Sequence, residues 1–153
     1  MAECGWCNLT EEDQKYLLAE SEYWRVFLAD EQDYVGRCIL VLRRHCGSLA
    51  KLSESEWTDL RYQMEKVEDC LKTLFGAEVC NWSCLMNSFF KDPAPRPHVH
   101  IHVRPRYRNP VTINGNTYID HAFGHHYALD AHDDMSAEDR QTICQRMQNW
   151  LHQ

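Results

Sequence analysis

The sequence lacks an apolar stretch of the length that a transmembrane helix needs. Its 153 residues contain no run of about 18 apolar residues, so we expect no membrane-spanning segment and no membrane partner. Residues 1–6 also lack the basic start and the apolar stretch of a secretory signal peptide. These two absences predict a cytoplasmic protein.

Basic residues are also few. Lys and Arg total 16 against 23 Asp and Glu, which gives a net charge of −7 and argues against binding to a nucleic acid polymer. The arginines are nevertheless concentrated in two places, namely Arg43 and Arg44 and, later, Arg96, Arg104, Arg106 and Arg108. A local basic cluster in an acidic protein favours a small phosphorylated ligand, and the alternative is a group of solvated surface arginines.

A glycine-rich phosphate loop is missing as well, which excludes P-loop chemistry. The content of 44% hydrophobic and 25% charged residues is typical of a globular protein, and the length fits one domain spanning residues 1–153. Predicted elements follow the order of three strands, a long helix, two strands and a C-terminal helix. Since few helical crossovers join the strands, we expect an α+β fold with a mainly antiparallel sheet of about five strands.

Local patterns locate these elements. Aromatic and aliphatic runs predict strands at residues 16–20, 24–29, 38–42, 78–87 and 98–103, and Asn114-Gly115 predicts a hairpin turn. Capping residues predict a helix from Ser53 to Gly76 and another that begins at Ser136. The first helix carries an apolar stripe that we expect in the core, composed of Trp57, Leu60, Met64, Val67, Leu71 and Leu74.

The chain has eight cysteines, and only Cys4 and Cys7 have the spacing of metal ligands. Two thiolates separated by two residues can bind one tetrahedral zinc ion, which then needs two more ligands. A redox pair is the alternative, but it normally occurs in a βαβ context that this chain lacks. We expect most of the other six cysteines to be small buried apolar residues.

Three histidines alternate with apolar residues in the segment from His98 to Val103. A strand directs alternate side chains to opposite faces, so His98, His100 and His102 share one face at a spacing of roughly 7 Å. By itself the pattern is also compatible with a metal-binding or simply solvated strand.

The segment resembles the signature of the histidine triad (HIT) superfamily, in which three histidines alternate with hydrophobic residues and two hydrophobic residues follow. Arg104 departs from the last hydrophobic position. The resemblance extends over most of the chain, and the cysteine pair is similar to that of bacterial-type members that contain zinc. It implies a HIT-like fold with one long helix packed on the sheet, and a homodimer. The other matching features are His45, Asn87 and Pro105-Arg106-Tyr107.

The resemblance implies a nucleotide hydrolase or transferase. Such an enzyme cleaves at the α-phosphate of dinucleoside polyphosphates such as diadenosine tetraphosphate, or of nucleoside phosphoramidates. His100 would form a nucleotidyl-histidine intermediate and His102 would donate to the phosphate and leaving group. A backbone carbonyl, or His98, would hold the tautomer of the nucleophile. The alternative is a zinc-stapled nucleotide-binding module with little turnover that acts through a protein partner.

The resemblance also implies nucleotide contacts. Asp30 occupies the ribose-binding place and Asn87 matches an asparagine near the phosphate, although each is otherwise an ordinary turn residue. Arg37 stands where many members have a histidine near the base or ribose. The loop of residues 93–97 lacks the family's polar side chains, and Arg96 is the candidate to replace them electrostatically.

A structural zinc site is implied at Cys4, Cys7, His45 and His98. For His45 the alternative is a surface histidine at a strand end. The remaining histidines fall in predicted turns or in the C-terminal tail, and we assign no chemical role to them. They are His121, His125, His126, His132 and His152.

Overall fold

A five-stranded sheet forms the centre of the computed structural model, which describes residues 3–128, 130 and 134–153. His132 and residues 1 and 2 of the signal-peptide prediction lie outside the described residues. The strands are β1 (Leu17–Glu20), β2 (Trp24–Leu28), β3 (Cys38–Leu42), β4 (Val79–Ser83) and β5 (His100–Arg106). Their order is β1-β2-β3-β5-β4 and every neighbouring pair is antiparallel, which confirms the predicted α+β fold.

Among the described residues, three α-helices and a hairpin complete the fold. They are α1 (Glu11–Gln14), α2 (Glu54–Phe75), α3 (Ala137–Leu151), and the hairpin strands β6 (Val111–Ile113) and β7 (Asn116–Tyr118). The predicted Ser53–Glu56 capping box opens α2, and Gly76 follows it in a left-handed conformation, at φ 78°. Asn114 and Gly115 both have positive φ, as the hairpin prediction requires. Among the described helices, none combines the length and the apolar character needed to cross a membrane.

The alternation along β5 gives the sheet two different faces. Ile101 and Val103 are buried in a core that includes Val67 and Leu71 of α2. The opposite side of β5 carries His100, His102, Arg104 and Arg106. The candidate functional residues therefore lie on the face that α2 does not cover.

Two local predictions are wrong. Strand β4 ends at Ser83, because its pairing with β5 stops at the Ser83–His102 pair, and Asn87 begins a short 3-10 helix (Asn87–Lys91). Trp57 is 45% exposed, although the stripe predicts it in the core. Glu56 occupies the buried position instead and accepts a hydrogen bond of 2.9 Å from Arg44.

Gly36 provides a test of how the helix positions the start of β3. Its φ of +82° favours glycine, and a Cβ there would lie 2.5 Å from the Cδ2 atom of buried Leu71. Gly36→Ala should therefore destabilise the protein by about 1–3 kcal/mol more than Gly76→Ala, which has a similar φ and no neighbour within 4 Å. Urea unfolding of both variants measures the difference, and equal losses would contradict the packing argument.

Candidate functional site

His98 lies just before β5 and is fully buried. Its Nε2 atom is 2.6 Å from the backbone oxygen of Leu42. A carbonyl oxygen only accepts, so this ring nitrogen carries the proton and Nδ1 keeps its lone pair. The Nδ1 atom faces the Sγ atoms of Cys4 and Cys7, at 3.3 and 3.6 Å.

His45 completes a four-residue cluster with these side chains. Its Nδ1 atom is 3.4 Å from the Sγ atom of Cys7, and the four ligand atoms all lie within 4.8 Å of one another. Tetrahedral zinc bonded to sulfur and nitrogen separates such atoms by roughly 3.6 Å, close to the distances observed. Burial lowers the pKa of His98, so its imidazole is neutral, as metal binding requires. The cluster therefore has the composition and geometry to hold a metal ion.

The His100 ring is held by the backbone of the same segment. Its Nδ1 atom is 2.9 Å from the oxygen of His98, so Nδ1 donates and the lone pair lies on Nε2. The ring is buried, with the Phe89 ring edge-on at 5.6 Å and the His102 ring at 5.0 Å between centroids. The hydrogen bond therefore makes Nδ1 the donor of His100 and Nε2 the nitrogen that carries the lone pair in the neutral form of the ring.

Trp6 stacks against the other side of His100. Their ring centroids are 6.0 Å apart with planes inclined by 29°, and the Phe27 ring is also 6.0 Å from the indole. Trp6 belongs to a 3-10 turn (Gly5–Cys7) that lies between two members of the metal-ligand cluster. Sequence reasoning missed both Trp6 and Phe89, although the position of Trp6 between the two cysteines was a usable signal.

His102 occupies the next position along the same face. It lies opposite Ile39 of β3 and Ser83 of β4, and its Nδ1 atom is buried without a hydrogen-bond partner among the described residues. Burial lowers its pKa to about 4, and the charges of His100, Arg37 and Arg104 add to the effect. The side chain is therefore neutral at physiological pH.

Arg37 and Arg104 form a buried charge cluster beyond His102. The Nη1 atom of Arg37 is 2.9 Å from Asp33, and the Nε atom of Arg104 is 3.9 Å from the same carboxylate. Asp30, the predicted ribose ligand, is exposed, so Asp33 rather than Asp30 is the carboxylate that this face buries. The sequence contained a signal for Arg104, because this arginine replaces a hydrophobic residue of the signature.

Asn87 and Arg96 are both exposed. Asn87 is the first residue of the 3-10 helix that contains Phe89, and the ring of Phe89 contacts His100. The pKa of Cys7 is raised, chiefly by partial desolvation of the thiol, and the charge of Arg96 opposes this shift. Arg96 therefore lies near the cysteine-histidine cluster, whereas Arg37 lies near His102.

Solved structures with a similar fold are known. The chain matches a hypothetical histidine triad nucleotide-binding protein from Sulfolobus tokodaii at a TM-score of 0.68 and 13% identity, over 97% of this chain and 92% of the other. The chain has the histidine triad fold. The fold resemblance predicted from the sequence is thus confirmed, although no family model and no curated protein matches the chain.

Two further structures share the histidine triad fold. A Zn-bound histidine triad family protein from Mycobacterium smegmatis matches with a TM-score of 0.58 and 15% identity, over 90% of this chain and 84% of the other. A diadenosine triphosphate hydrolase from Plasmodium falciparum matches at 0.62 and 15% identity, over 92% and 78%. Some structures with the fold are much longer, and this chain covers only 27% of one of them.

The half-buried imidazole of His102 predicts a pH dependence of stability in this histidine triad fold. Its pKa is about 4 in the folded chain against an ordinary value of 6.5. Between these values the unfolded chain binds a proton that the folded chain does not, so stability falls as the pH is lowered through this range. We expect this group to contribute a loss of up to about 3 kcal/mol.

Urea unfolding at a series of pH values between 7 and 4 measures the effect. His102→Gln should have a shallower pH dependence than the wild type, and His121→Ala, at an exposed position, should keep the wild-type slope. The same slope in His102→Gln as in the wild type would contradict the assignment.

Proposed function

We propose that the protein is a nucleotidyl hydrolase or transferase that cleaves at the α-phosphate of dinucleoside polyphosphates or nucleoside phosphoramidates. The observation that carries the proposal is the hydrogen bond from Nδ1 of His100 to the oxygen of His98, at 2.9 Å. It leaves Nε2 with a lone pair, which is what a nucleophilic imidazole needs. The diadenosine triphosphate hydrolase with the same fold supports the substrate class.

The reaction takes two steps. In the first, the Nε2 lone pair of His100 attacks the α-phosphorus, a P–N bond forms, and the bond to the leaving group breaks. The electron pair stays with the leaving group, which takes up a proton. In the second, water attacks the phosphorus and releases a proton to the solvent, the P–N bond breaks with its electron pair returning to Nε2 of His100, and the nucleoside monophosphate leaves.

His102 assists at the phosphate as a neutral donor rather than as a cation. Its pKa of about 4 keeps the ring uncharged at physiological pH. A neutral ring carries one N–H, which can donate to a phosphoryl oxygen where negative charge develops. Asn87 and Arg96 are the further candidates at the phosphate and its leaving group.

The nucleoside lies beside His100 on the aromatic side of the site in our proposal. Trp6, which packs on buried Phe27 at a centroid distance of 6.0 Å, is only partly buried and is a ring on which a base can stack. Asp30 remains the candidate for contact with the ribose, and Arg37 remains a candidate nucleotide-binding residue.

We further propose that Cys4, Cys7, His45 and His98 bind zinc as a structural ion. The Leu42 carbonyl already selects the His98 tautomer that a metal needs. Four protein ligands close the coordination sphere, so the ion would fix the N-terminal turn rather than take part in the reaction. The zinc-bound relative with this fold supports the choice of metal.

A nucleotide-binding module with little turnover is the second candidate. It is favoured by the loop of residues 93–97, which contains three prolines and an alanine beside Arg96 and so supplies few side-chain donors for a leaving group. A module of this kind would act through a protein partner.

AMP release separates the two functions. Wild-type protein incubated with diadenosine tetraphosphate and with an adenosine phosphoramidate should release AMP from at least one of them. His100→Ala should lose at least about a thousandfold in rate, because the nucleophile is absent. His121→Ala is the matched control with an exposed histidine. Wild-type release no faster than that of His100→Ala on both substrates would favour the binding module.

Metal analysis tests the zinc site independently of activity. Protein purified without chelator should contain about one zinc ion per chain, and Cys7→Ser and His45→Ala should each lower the content. Because Trp6 lies in the same turn as the cysteines, chelation should also change its fluorescence. Zinc-free wild-type protein, or variants with unchanged zinc content, would overturn the proposal.

We also propose that residues 1–153 form a single domain and that two copies of the chain form a homodimer. Light scattering measures the mass in solution and so tests the dimer.

A further inference from the structure

We propose that Arg104, together with Arg37, forms a binding site for a second phosphate group of the substrate, next to the phosphate that His100 attacks. The inference rests on the proposed function, but it concerns two arginines, of which Arg104 replaces a hydrophobic residue of the histidine signature. It states that the substrate carries at least two phosphate groups.

The observation that carries this proposal is a group of buried nitrogen and oxygen atoms without partners. Among the described residues, the Nε and Nη1 atoms of Arg104, the Nε atom of Arg37, Nδ1 of His102 and Oγ of Ser83 are buried and make no hydrogen bond. All four residues lie on the histidine face of β3, β4 and β5, because Ser83 pairs with His102 and Arg37 precedes β3 by one residue. Unpaired buried donors of this kind are rare and costly.

Arg106, on the same strand, is an arginine whose hydrogen bonds are all made within the fold, and it provides a comparison for Arg104. Two residues beyond Arg104 on the same face, it donates to both carboxylate oxygens of Asp120 at 2.7 and 3.0 Å, and to the backbone oxygens of Ala122 and His125. Arg104 has one ion pair, at 3.9 Å from Asp33. The fold therefore satisfies one guanidinium completely and leaves its neighbour with free donors.

The local charge favours an anion. Arg37 and Arg104 share a single buried carboxylate, that of Asp33, and the second acidic partner of Arg37, Glu31, has a side chain that is 76% exposed. One buried positive charge is thus left over. The pKa of Arg104 is lowered, first by burial and then by the charge of Arg37, which is the effect that a bound phosphate would oppose.

Arg104 is held in a fixed orientation by residues that line a neighbouring cleft. The guanidinium lies over the Tyr127 ring at 4.2 Å from its centroid, which holds the plane of the fork. A cleft of 680 Å³ lined by Ser83, Asn81 and Tyr127 opens beside it, and Asn81 is the cross-strand neighbour of Arg104. His102 and Arg104 are two residues apart, roughly 7 Å along the strand, so one ligand can reach both.

Binding of inorganic pyrophosphate tests the site without a nucleotide. Calorimetry should give an affinity for the wild type that falls about tenfold or more in Arg104→Leu, because charge-assisted hydrogen bonds are lost. Arg108→Leu removes the same charge from an exposed position paired with Glu78 and should bind as the wild type does. Arg104→Lys keeps the charge without the fork and should lose affinity by a smaller factor. Pyrophosphate affinities of both Arg104 variants within about twofold of wild type would overturn the proposal.

The binding of nucleotides then shows whether the second phosphate site lies on the leaving-group side or on the ribose side of the attacked phosphate. In a His100→Ala background, ADP carries its second phosphate on the leaving-group side and adenosine 3′,5′-bisphosphate carries it on the ribose side. One of the two should bind about tenfold more tightly than AMP, and Arg104→Leu should abolish that gain. Equal affinities of all three nucleotides would contradict the second phosphate site. If none of the three nucleotides binds while pyrophosphate still binds, the result counts against the proposed function alone.

Thermal unfolding of the ligand-free variant provides a readout that a structural role would not give. If Arg104 is held for a ligand, Arg104→Leu should raise the Tm by about 2–4 °C, since the buried donors without partners are removed. A lower Tm together with unchanged pyrophosphate binding would indicate that Arg104 only supports the fold.

Discussion

Two backbone carbonyl oxygens determine what the buried histidines can do. Leu42 accepts from His98 and His98 accepts from His100, at 2.6 and 2.9 Å. Each bond makes one ring nitrogen the donor, so in the neutral form of each ring the lone pair lies on Nδ1 of His98, which faces the cysteines, and on Nε2 of His100. In our proposal the first side chain is a metal ligand and the second, two residues further along the segment, is the nucleophile. Without these carbonyls, neither role would be defined by the fold.

Much of the fold could be predicted, because its signals are local. The capping box at Ser53, the left-handed Gly76 and the Asn114-Gly115 turn depend only on a few neighbouring residues, and all three are observed. The cysteine-histidine cluster also follows the prediction, since the family resemblance brought together residues far apart in the sequence.

The wrong or missing predictions concern residues whose environment is set by other elements. The end of β4 depends on where its pairing with β5 stops, which no pattern within residues 78–87 reveals. Trp57 fits the apolar stripe, but the ion pair of Glu56 with Arg44 places the glutamate inside. Asp33 could not be distinguished from Asp30 until the chain brought one carboxylate between two arginines.

The position of Trp6 has a mechanical consequence. The indole is attached to a turn of three residues, and the thiols on its two sides belong to the same cluster. Once both sulfur atoms are held, the backbone between them has almost no remaining freedom, as in a small ring closed by a cross-link. With the proposed ion bound, the indole against His100 and the two thiols would therefore form one rigid unit, so that a change in the position of the indole would also displace the metal ligands.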